Sequence, residues 1–236
     1  MRDNNRANNA LRDLTIKPDI MKYAEGSAEV IWGNTKVICT ASWEPKVPFW
    51  MKDEGRGWIT AEYSMLPRCA PQRIRRDISR GTQASRSVEI QRLIGRAIRS
   101  NVDMEKMGTN SMTIDCDVIQ ADGGTRVASI VGGFVALVQA FRSIDIGEIP
   151  IKNYLGAVSL GIVDGTPMLD LCYEEDFKAD ADMNIVADSQ GRIAEVQVTA
   201  EDTPFSKDRF DEMMALGLDG IKQVIEIEKR VLGPLI

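Results

Sequence analysis

The sequence predicts an α+β fold in which mixed β-sheets, built from hairpins, pack against helices. Three observations carry this reading. Short segments alternate apolar and polar residues at the period of two that a half-buried strand requires. Glycine-bearing turns join those segments in pairs, and three longer stretches place apolar residues at helical spacing instead. The first pair of strands spans 27–32 and 35–42 and closes on Gly33-Asn34, a two-residue hairpin signal. A strand follows at 112–118, where Met112, Ile114, Cys116 and Val118 alternate with Thr113, Asp115 and Asp117. Strands at 154–163 and 167–173 flank Asp164-Gly165, and strands at 184–187 and 192–199 flank a turn ending at Gly191. The helices fall at 87–99, 127–141 and 206–231, the last being one long helix or two. In 127–141 nearly every residue is apolar, so that helix is expected inside the core.

With 236 residues, 44% of them hydrophobic, and no long polar tract, the chain is long enough to bury a substantial core. It reads as a single domain over 1–236, with two intimately packed lobes, about 1–145 and 146–236, as the permitted subdivision. No apolar run reaches the length of a membrane span and the first residues are charged rather than signal-like, so a cytoplasmic protein without a membrane partner is expected. Cys39, Cys69, Cys116 and Cys172 contain no Cys-x-x-Cys pair, and three of them fall in apolar strand patterns, which marks them as reduced core residues.

Charge is strongly segregated. The chain carries −6 overall, yet between Arg68 and Arg99 nine arginines stand against only Asp77 and Glu89, leaving +7 there and −13 elsewhere. Basic surface concentrated on an acidic protein points to a polyanionic partner. Residues 67–81 lack apolar periodicity and contain proline and glycine, so they read as a loop able to follow a flexible backbone. From Ser87 onward the pattern changes: Ile90, Leu93, Ile94, Ala97 and Ile98 form one helical stripe, with Arg92, Arg96 and Arg99 on another. Those three arginines fit a solvated, salt-bridged helix face as well as a binding role. Arg86 stands at the helix start, where free N–H groups and the macrodipole favour an anion.

A second anion site is legible in Gln120-Ala121-Asp122-Gly123-Gly124-Thr125-Arg126, where the 112–118 strand gives way to the apolar helix. The glycines allow backbone N–H groups to approach a ligand, Thr125 can cap the helix or donate its hydroxyl, and Arg126 supplies a planar, permanently charged fork. Phosphate suits such a junction. A structural turn, with Arg126 simply paired to Asp122, is the competing account. A third element is acidic: Glu174-Glu175-Asp176, then Asp180 and Asp182. Such carboxylates can hold magnesium, or raise one another's pKa until one donates a proton near neutral pH, or merely form an acidic surface loop. Histidine is absent, which removes the usual general base, the common nucleophile pairs and the commonest zinc ligand. Phosphoryl transfer, which depends mainly on positioning and charge stabilisation, suits what remains.

The residues also carry a resemblance. Ala24-Glu25-Gly26-Ser27, Gly33-Asn34-Thr35-Lys36-Val37, Thr60-Ala61-Glu62-Tyr63 with Met65-Leu66-Pro67-Arg68, Glu89-Ile90-Gln91-Arg92-Leu93-Ile94, Asp115-Cys116-Asp117-Val118 with the Gln120–Arg126 turn, and Asp182-Met183-Asn184 are similar to the bacterial ribonuclease PH family, in order, from about residue 2 to residue 205. The resemblance implies a ribosomal protein S5 domain 2-like fold and a ring-shaped homohexamer built from dimers. It implies phosphorolytic 3′-to-5′ trimming of transfer RNA precursors and other structured RNA 3′ ends, in which inorganic phosphate releases nucleoside diphosphates and the reverse reaction adds nucleotides. Carried over position by position, Arg86, Gly124, Thr125 and Arg126 would hold phosphate. Asp182 would be the catalytic carboxylate, with Asp176 as its partner in proton transfer or magnesium binding. Arg68, Arg73, Arg76 and Arg80 would grip the RNA backbone. Some segments depart from the family pattern. The N-terminal turn is Arg2-Asp3-Asn4-Asn5-Arg6, the loop carries Cys69-Ala70-Pro71-Gln72 without the histidine often found there, and Phe177-Lys178-Ala179-Asp180-Ala181 replaces small residues, with Lys178 able to neutralise part of the acidic cluster. The alternative implied by related rings is a non-catalytic RNA-binding subunit of an exosome-like assembly.

Overall fold

The computed structural model describes residues 2, 5–201 and 204–235, with the side chains of Ile78 and Arg80 outside the described set. Two sheets and a buried helix organise the chain. The first sheet joins β1 (Leu14–Pro18), β2 (Gly26–Trp32), β3 (Thr35–Glu44), β4 (Trp58–Met65) and β5 (Ser111–Gln120) in the order β1-β2-β3-β5-β4. All neighbours are antiparallel except β4 and β5. The second sheet is antiparallel throughout, in the order β7-β6-β8-β9, from β6 (Leu155–Val163), β7 (Thr166–Leu169), β8 (Ala181–Asp188) and β9 (Ile193–Ala200).

Helix α2 (Thr125–Ser143) runs through the centre, against β2 and β3 on one side and β6 on another. Fourteen of its residues are buried, among them Ile130, Phe134, Val135 and Leu137, which matches the nearly all-round apolar pattern. Each large aliphatic or aromatic side chain buried there contributes about 1.5–3 kcal/mol. Gly132 lets the helix approach β3 closely, since a Cβ there would lie 2.7 Å from Cys39 Sγ. The Sγ atoms of Cys39 and Cys116 lie 3.6 Å apart, both as reduced thiols. Helix α1 (Ser85–Ser100) packs on β4, and α4 (Lys207–Leu232) packs on β6, β1 and β7. Ser206 caps α4, its Oγ accepting from Arg209 N–H at 3.3 Å. Among the described residues no helix is long and apolar enough to cross a membrane.

Several boundaries differ from the sequence pattern for identifiable reasons. The tail, expected as one long helix or two, is one continuous helix. Strand β7 stops at Leu169, where 167–173 was expected, because Asp170 takes a positive φ of 55° and turns the chain into the short helix α3 (Tyr173–Asp176). Cys172 therefore precedes α3 instead of lying in a strand. Strand β8 begins at Ala181, ahead of the expected 184, and so places Asp182 on a strand. Strands β1 and β4 are additional to the expected elements, although in β4 Ile59, Ala61, Tyr63 and Met65 alternate with Thr60, Glu62 and Ser64, and the arginine loop contains a single 3-10 turn at Asp77–Arg80. On α4, Glu228 is fully buried with neither carboxyl oxygen hydrogen-bonded among the described residues. Burial pushes its pKa well above the carboxylate range, which favours the neutral form.

Candidate active site

The two anion-favouring helix starts of the sequence face one open cleft of about 1560 Å³. Arg86 and Arg126 line it together with Gly123, Gly124, Thr125, Asp176 and Asp182. Each arginine is the second residue of its helix, and no side chain caps either helix start. The first-turn N–H groups of α1 and α2 therefore carry no side-chain cap, the local setting in which a helix start favours an anion.

The glycine turn is fixed from behind. Gly123 and Gly124 have φ of 74° and 68°, values that favour glycine, and a Cβ on Gly123 would collide with the carbonyl oxygen of Leu171. Thr35 Oγ1 donates to Gly123 O at 2.6 Å and accepts from Asp122 N–H at 3.0 Å. Gln120 reaches back from a bulge in the β3–β5 pairing to Asn34 O at 2.6 Å. Arg12 links this turn to the chain beyond β7: its guanidinium donates to the carbonyl oxygens of Asp122 and Gly123 while pairing with Asp170 at 2.7 Å. Thr125 does not cap the helix. Its hydroxyl instead meets the Tyr63 hydroxyl at 2.9 Å, tying α2 to β4.

Arg126 does not pair with Asp122, whose carboxylate accepts from Asn34 Nδ2 and Tyr173 N–H, both at 3.1 Å. Arg126 donates to Gln197 Oε1 at 2.8 Å and lies 3.5 Å from Glu89 Oε1, while Gln197 Nε2 donates to the same Glu89 oxygen at 2.7 Å. A neutral amide and a half-exposed carboxylate hold it weakly, since such exposed pairs are worth about 0–1 kcal/mol. Arg86 is exposed and has no ion pair or side-chain hydrogen bond among the described residues.

The acidic run divides. Asp176 reaches the cleft from the end of α3, and Asp182 does so from β8. Burial raises the pKa of both. For Asp176 the charges of Arg86 and Arg126 act in the opposite direction, and for Asp182 the negative charge of Asp176 raises it further while Arg126 lowers it. These couplings mark the four side chains as one electrostatic unit. Lys178 lies in the cleft wall, but among the described residues it forms no ion pair, so it does not neutralise the cluster. Among the described residues no group of three or more carboxylates, cysteines or histidines is arranged to hold a metal.

Glu175 turns away and serves a different purpose. Its carboxylate takes two bonds from Arg2, at 2.8 and 2.7 Å, and one from Arg6 at 3.2 Å. Burial opposes its charge, but the Arg2 hydrogen bond, the Cys172 N–H and the charges of Arg2 and Arg6 outweigh burial and hold its pKa at about 2. The altered N-terminal segment therefore clamps the base of α3, although Asp3 and Asn4 lie outside the described residues. Sequence reasoning missed this clamp and the Arg12–Asp170 bridge. The only signal was three arginines within the first twelve residues, with partners more than 150 positions away.

One prediction follows from that burial. Arg2→Ala is expected to destabilise the fold by about 3 kcal/mol in urea titrations, because it leaves a buried carboxylate with only the longer contacts to Arg6 and the Cys172 N–H. The pair's contribution is complete above pH 4.5, the ordinary value, and is lost as pH falls toward the folded value of about 2, so the wild-type and Arg2→Ala stabilities should converge in that window.

The arginines of the basic segment separate into two groups. Arg96 pairs with Glu195 at 2.7 Å, and Arg99 donates to Ile59 O and stacks 4.3 Å from the Trp58 ring centroid, so these two hold α1 in place. Arg68, Arg73, Arg75 and Arg76 are exposed and, among the described residues, form no ion pairs. They lie beside Ala70, Pro71 and Gln72, which line the cleft, and the loop base is tied to the glycine turn by Ala121 N–H donating to Cys69 O at 2.8 Å. Arg80, the fourth expected contact, has its side chain outside the described residues.

Comparison with known proteins locates this arrangement. The description "3′ exoribonuclease family, domain 1" matches residues 10–142, and "3′ exoribonuclease family, domain 2" matches residues 153–220. The chain is 49% identical over 238 aligned positions to ribonuclease PH of Listeria monocytogenes serotype 4a, covering 99% of this chain and 96% of that protein, and to its counterpart in serovar 1/2a to the same degree. Among solved structures it is similar to a chain of the Archaeoglobus fulgidus exosome with RNA bound to the active site, with a TM-score of 0.82 at 23% identity, covering 95% and 91% of the two chains. Rice (Oryza sativa) Rrp46 superimposes with a TM-score of 0.81 at 18% identity, covering 98% of this chain and 100% of that one. At those identities the structural likeness establishes the ribosomal protein S5 domain 2-like fold.

Proposed function

The chain belongs to the 3′ exoribonuclease family, and on that premise we propose that it is a phosphate-dependent 3′-to-5′ exoribonuclease, a transfer RNA nucleotidyltransferase that trims transfer RNA precursors and related structured 3′ ends. The observation that carries the reading is the meeting of two uncapped, arginine-bearing helix starts with two carboxylates of raised pKa in one cleft. A non-catalytic ring subunit would have no use for all four groups together.

Inorganic phosphate sits between Arg86 and Arg126 and on the free N–H groups of α2 at Gly124, Thr125 and Arg126. The terminal diester lies beside it, and the two anions repel, so the guanidinium groups both bring them together and offset the charge that accumulates between them. An oxygen of the free phosphate attacks the phosphorus of the terminal nucleotide. The bond from that phosphorus to the 3′ oxygen of the preceding nucleotide breaks, releasing a nucleoside diphosphate. The departing oxygen takes a proton from Asp182, whose raised pKa makes the acid form available. The alternative use of the pair needs both groups ionised: Asp176 and Asp182 would then hold magnesium, which keeps most of its waters and takes few protein ligands beside substrate phosphates, and Asp182 would not be the proton donor. When bound, the ion would supply further charge neutralisation at the reacting phosphates.

Arg68, Arg73, Arg76 and Arg80 supply affinity through the backbone without reading sequence, and selectivity for a 3′ end then comes from RNA shape. The exosome relatives are assemblies, which supports a ring for this chain too, as a homohexamer of three dimers in the cytoplasm. Turnover should rise with phosphate and saturate; turnover of equal rate in phosphate-free buffer would refute the reading. Arg73→Ala is expected to leave the rate at saturating RNA nearly unchanged, weaken binding, and reduce the slope of log K against log salt by about 0.7. An unchanged slope would remove Arg73 from the RNA path.

A further inference from the structure

The cleft handles phosphates with its cations, but a nucleotide also has a base, and the cleft wall offers one surface suited to it. Tyr173 and Phe177 are the only aromatic residues in the cleft lining among the described residues. Their ring centroids are 6.3 Å apart with planes tilted by 31°, and they remain 54% and 79% exposed. Neither ring contributes to the hydrophobic core. The backbone that carries them is nevertheless held in position. Tyr173 N–H donates to Asp122 Oδ1 at 3.1 Å, Phe177 N–H donates to Tyr173 O at 2.9 Å, and Glu175 between them is clamped by Arg2. Phe177 directly follows Asp176, so a base resting on this pair would keep its own phosphates near Asp176 and the two cleft arginines.

We propose that Tyr173 and Phe177 form a stacking platform for bases at the 3′ end of the RNA, a positioning device that sets substrate affinity without selecting among bases. The proposal rests on the exoribonuclease reading of this cleft and deepens it. Exposed aromatic faces bind bases of any identity, because every base presents a π-face, and an exposed ring beside a basic groove is how single-stranded RNA is held without sequence preference. The tilt between the rings makes an open step rather than a closed sandwich, so at least one face of the pair is available to a base. Cations of the same cleft and its rim, at Arg86 and along the exposed loop beyond Gln72, would track the backbone of the same strand.

The test uses the full chain and two probes: a single-stranded oligoadenylate, and the same oligomer lacking the bases of its 3′-terminal nucleotides. Binding is read by fluorescence anisotropy without phosphate, and KM and kcat are read with phosphate present. Phe177→Ala is expected to weaken binding of the intact RNA by about 5- to 100-fold and to raise KM accordingly, with kcat nearly unchanged. The same substitution should leave the abasic probe almost unaffected, and Phe177→Trp should restore the preference for the intact RNA. Tyr173→Ala should behave like Phe177→Ala. Equal losses for both probes, no loss for either, or a changed oligomeric state on a sizing column with the base preference intact would overturn the proposal. Should the wild-type chain prefer intact over abasic RNA in the binding arm yet never turn it over with phosphate, the platform stands and the exoribonuclease reading falls.

Discussion

Arg126→Ala is expected to lower phosphorolysis by on the order of a thousandfold while leaving RNA affinity close to wild type. On the proposed reading this guanidinium meets the free phosphate, and the other cation at the start of α2, Arg12, is already engaged by Asp170 and the carbonyl oxygens of Asp122 and Gly123. Its present partners do not depend on it: Gln197 already donates to Glu89 at 2.7 Å, so the substitution leaves that contact intact and no charge is stranded in the core. The loss should fall on phosphate. Its apparent KM should rise beyond a practical range while the RNA binding curve stays in place. Arg126→Lys should recover only part of the rate, because an ammonium restores charge without the planar fork. Equal loss of RNA binding and turnover in Arg126→Ala would show that this arginine grips RNA rather than phosphate.

The second large effect belongs to Asp182. Asp182→Asn is expected to reduce kcat by about 10²- to 10⁴-fold, the usual contribution of a positioned proton donor. The pH profile separates this from a structural loss. Burial and then the charge of Asp176 raise the pKa of Asp182, so the acid form persists to higher pH than usual and the rate falls as pH rises through that value. Asp182→Asn should abolish that alkaline limb. Asp176→Asn, by removing the negative neighbour, should lower the pKa of Asp182 and move the limb to lower pH. A limb that stays in place in both variants would assign the titration to another group.

The parts of this site legible in the sequence are those encoded locally. Helix starts, glycine turns and strand alternation depend on neighbouring residues, which is why Arg86, Gly124 and Arg126 were recognised at helix beginnings and α2 as a core helix. From local pattern alone the acidic run was legible only as a run, and it was the family resemblance that singled out Asp176 and Asp182. Which carboxylate enters the cleft is decided by Arg2 and Arg6 pulling Glu175 away, a contact spanning 173 and 169 positions that no local pattern reports. The end of β7 was misplaced for the same reason. Apolar residues continue to Leu171, but Asp170 is drawn into a positive φ by Arg12 and Trp32, both distant in sequence. Thr125 likewise has two local uses, as cap or ligand, and the structure gives it a third through Tyr63.

The central claim is that free orthophosphate, seated between Arg86 and Arg126, is the attacking group. The most direct measurement supplies radiolabelled orthophosphate with an unlabelled 3′-extended transfer RNA and identifies the released nucleotide by chromatography. The account predicts nucleoside diphosphates carrying the label in the terminal phosphate. Unlabelled nucleoside monophosphates, formed equally well without phosphate, would mean that water is the nucleophile and would contradict it.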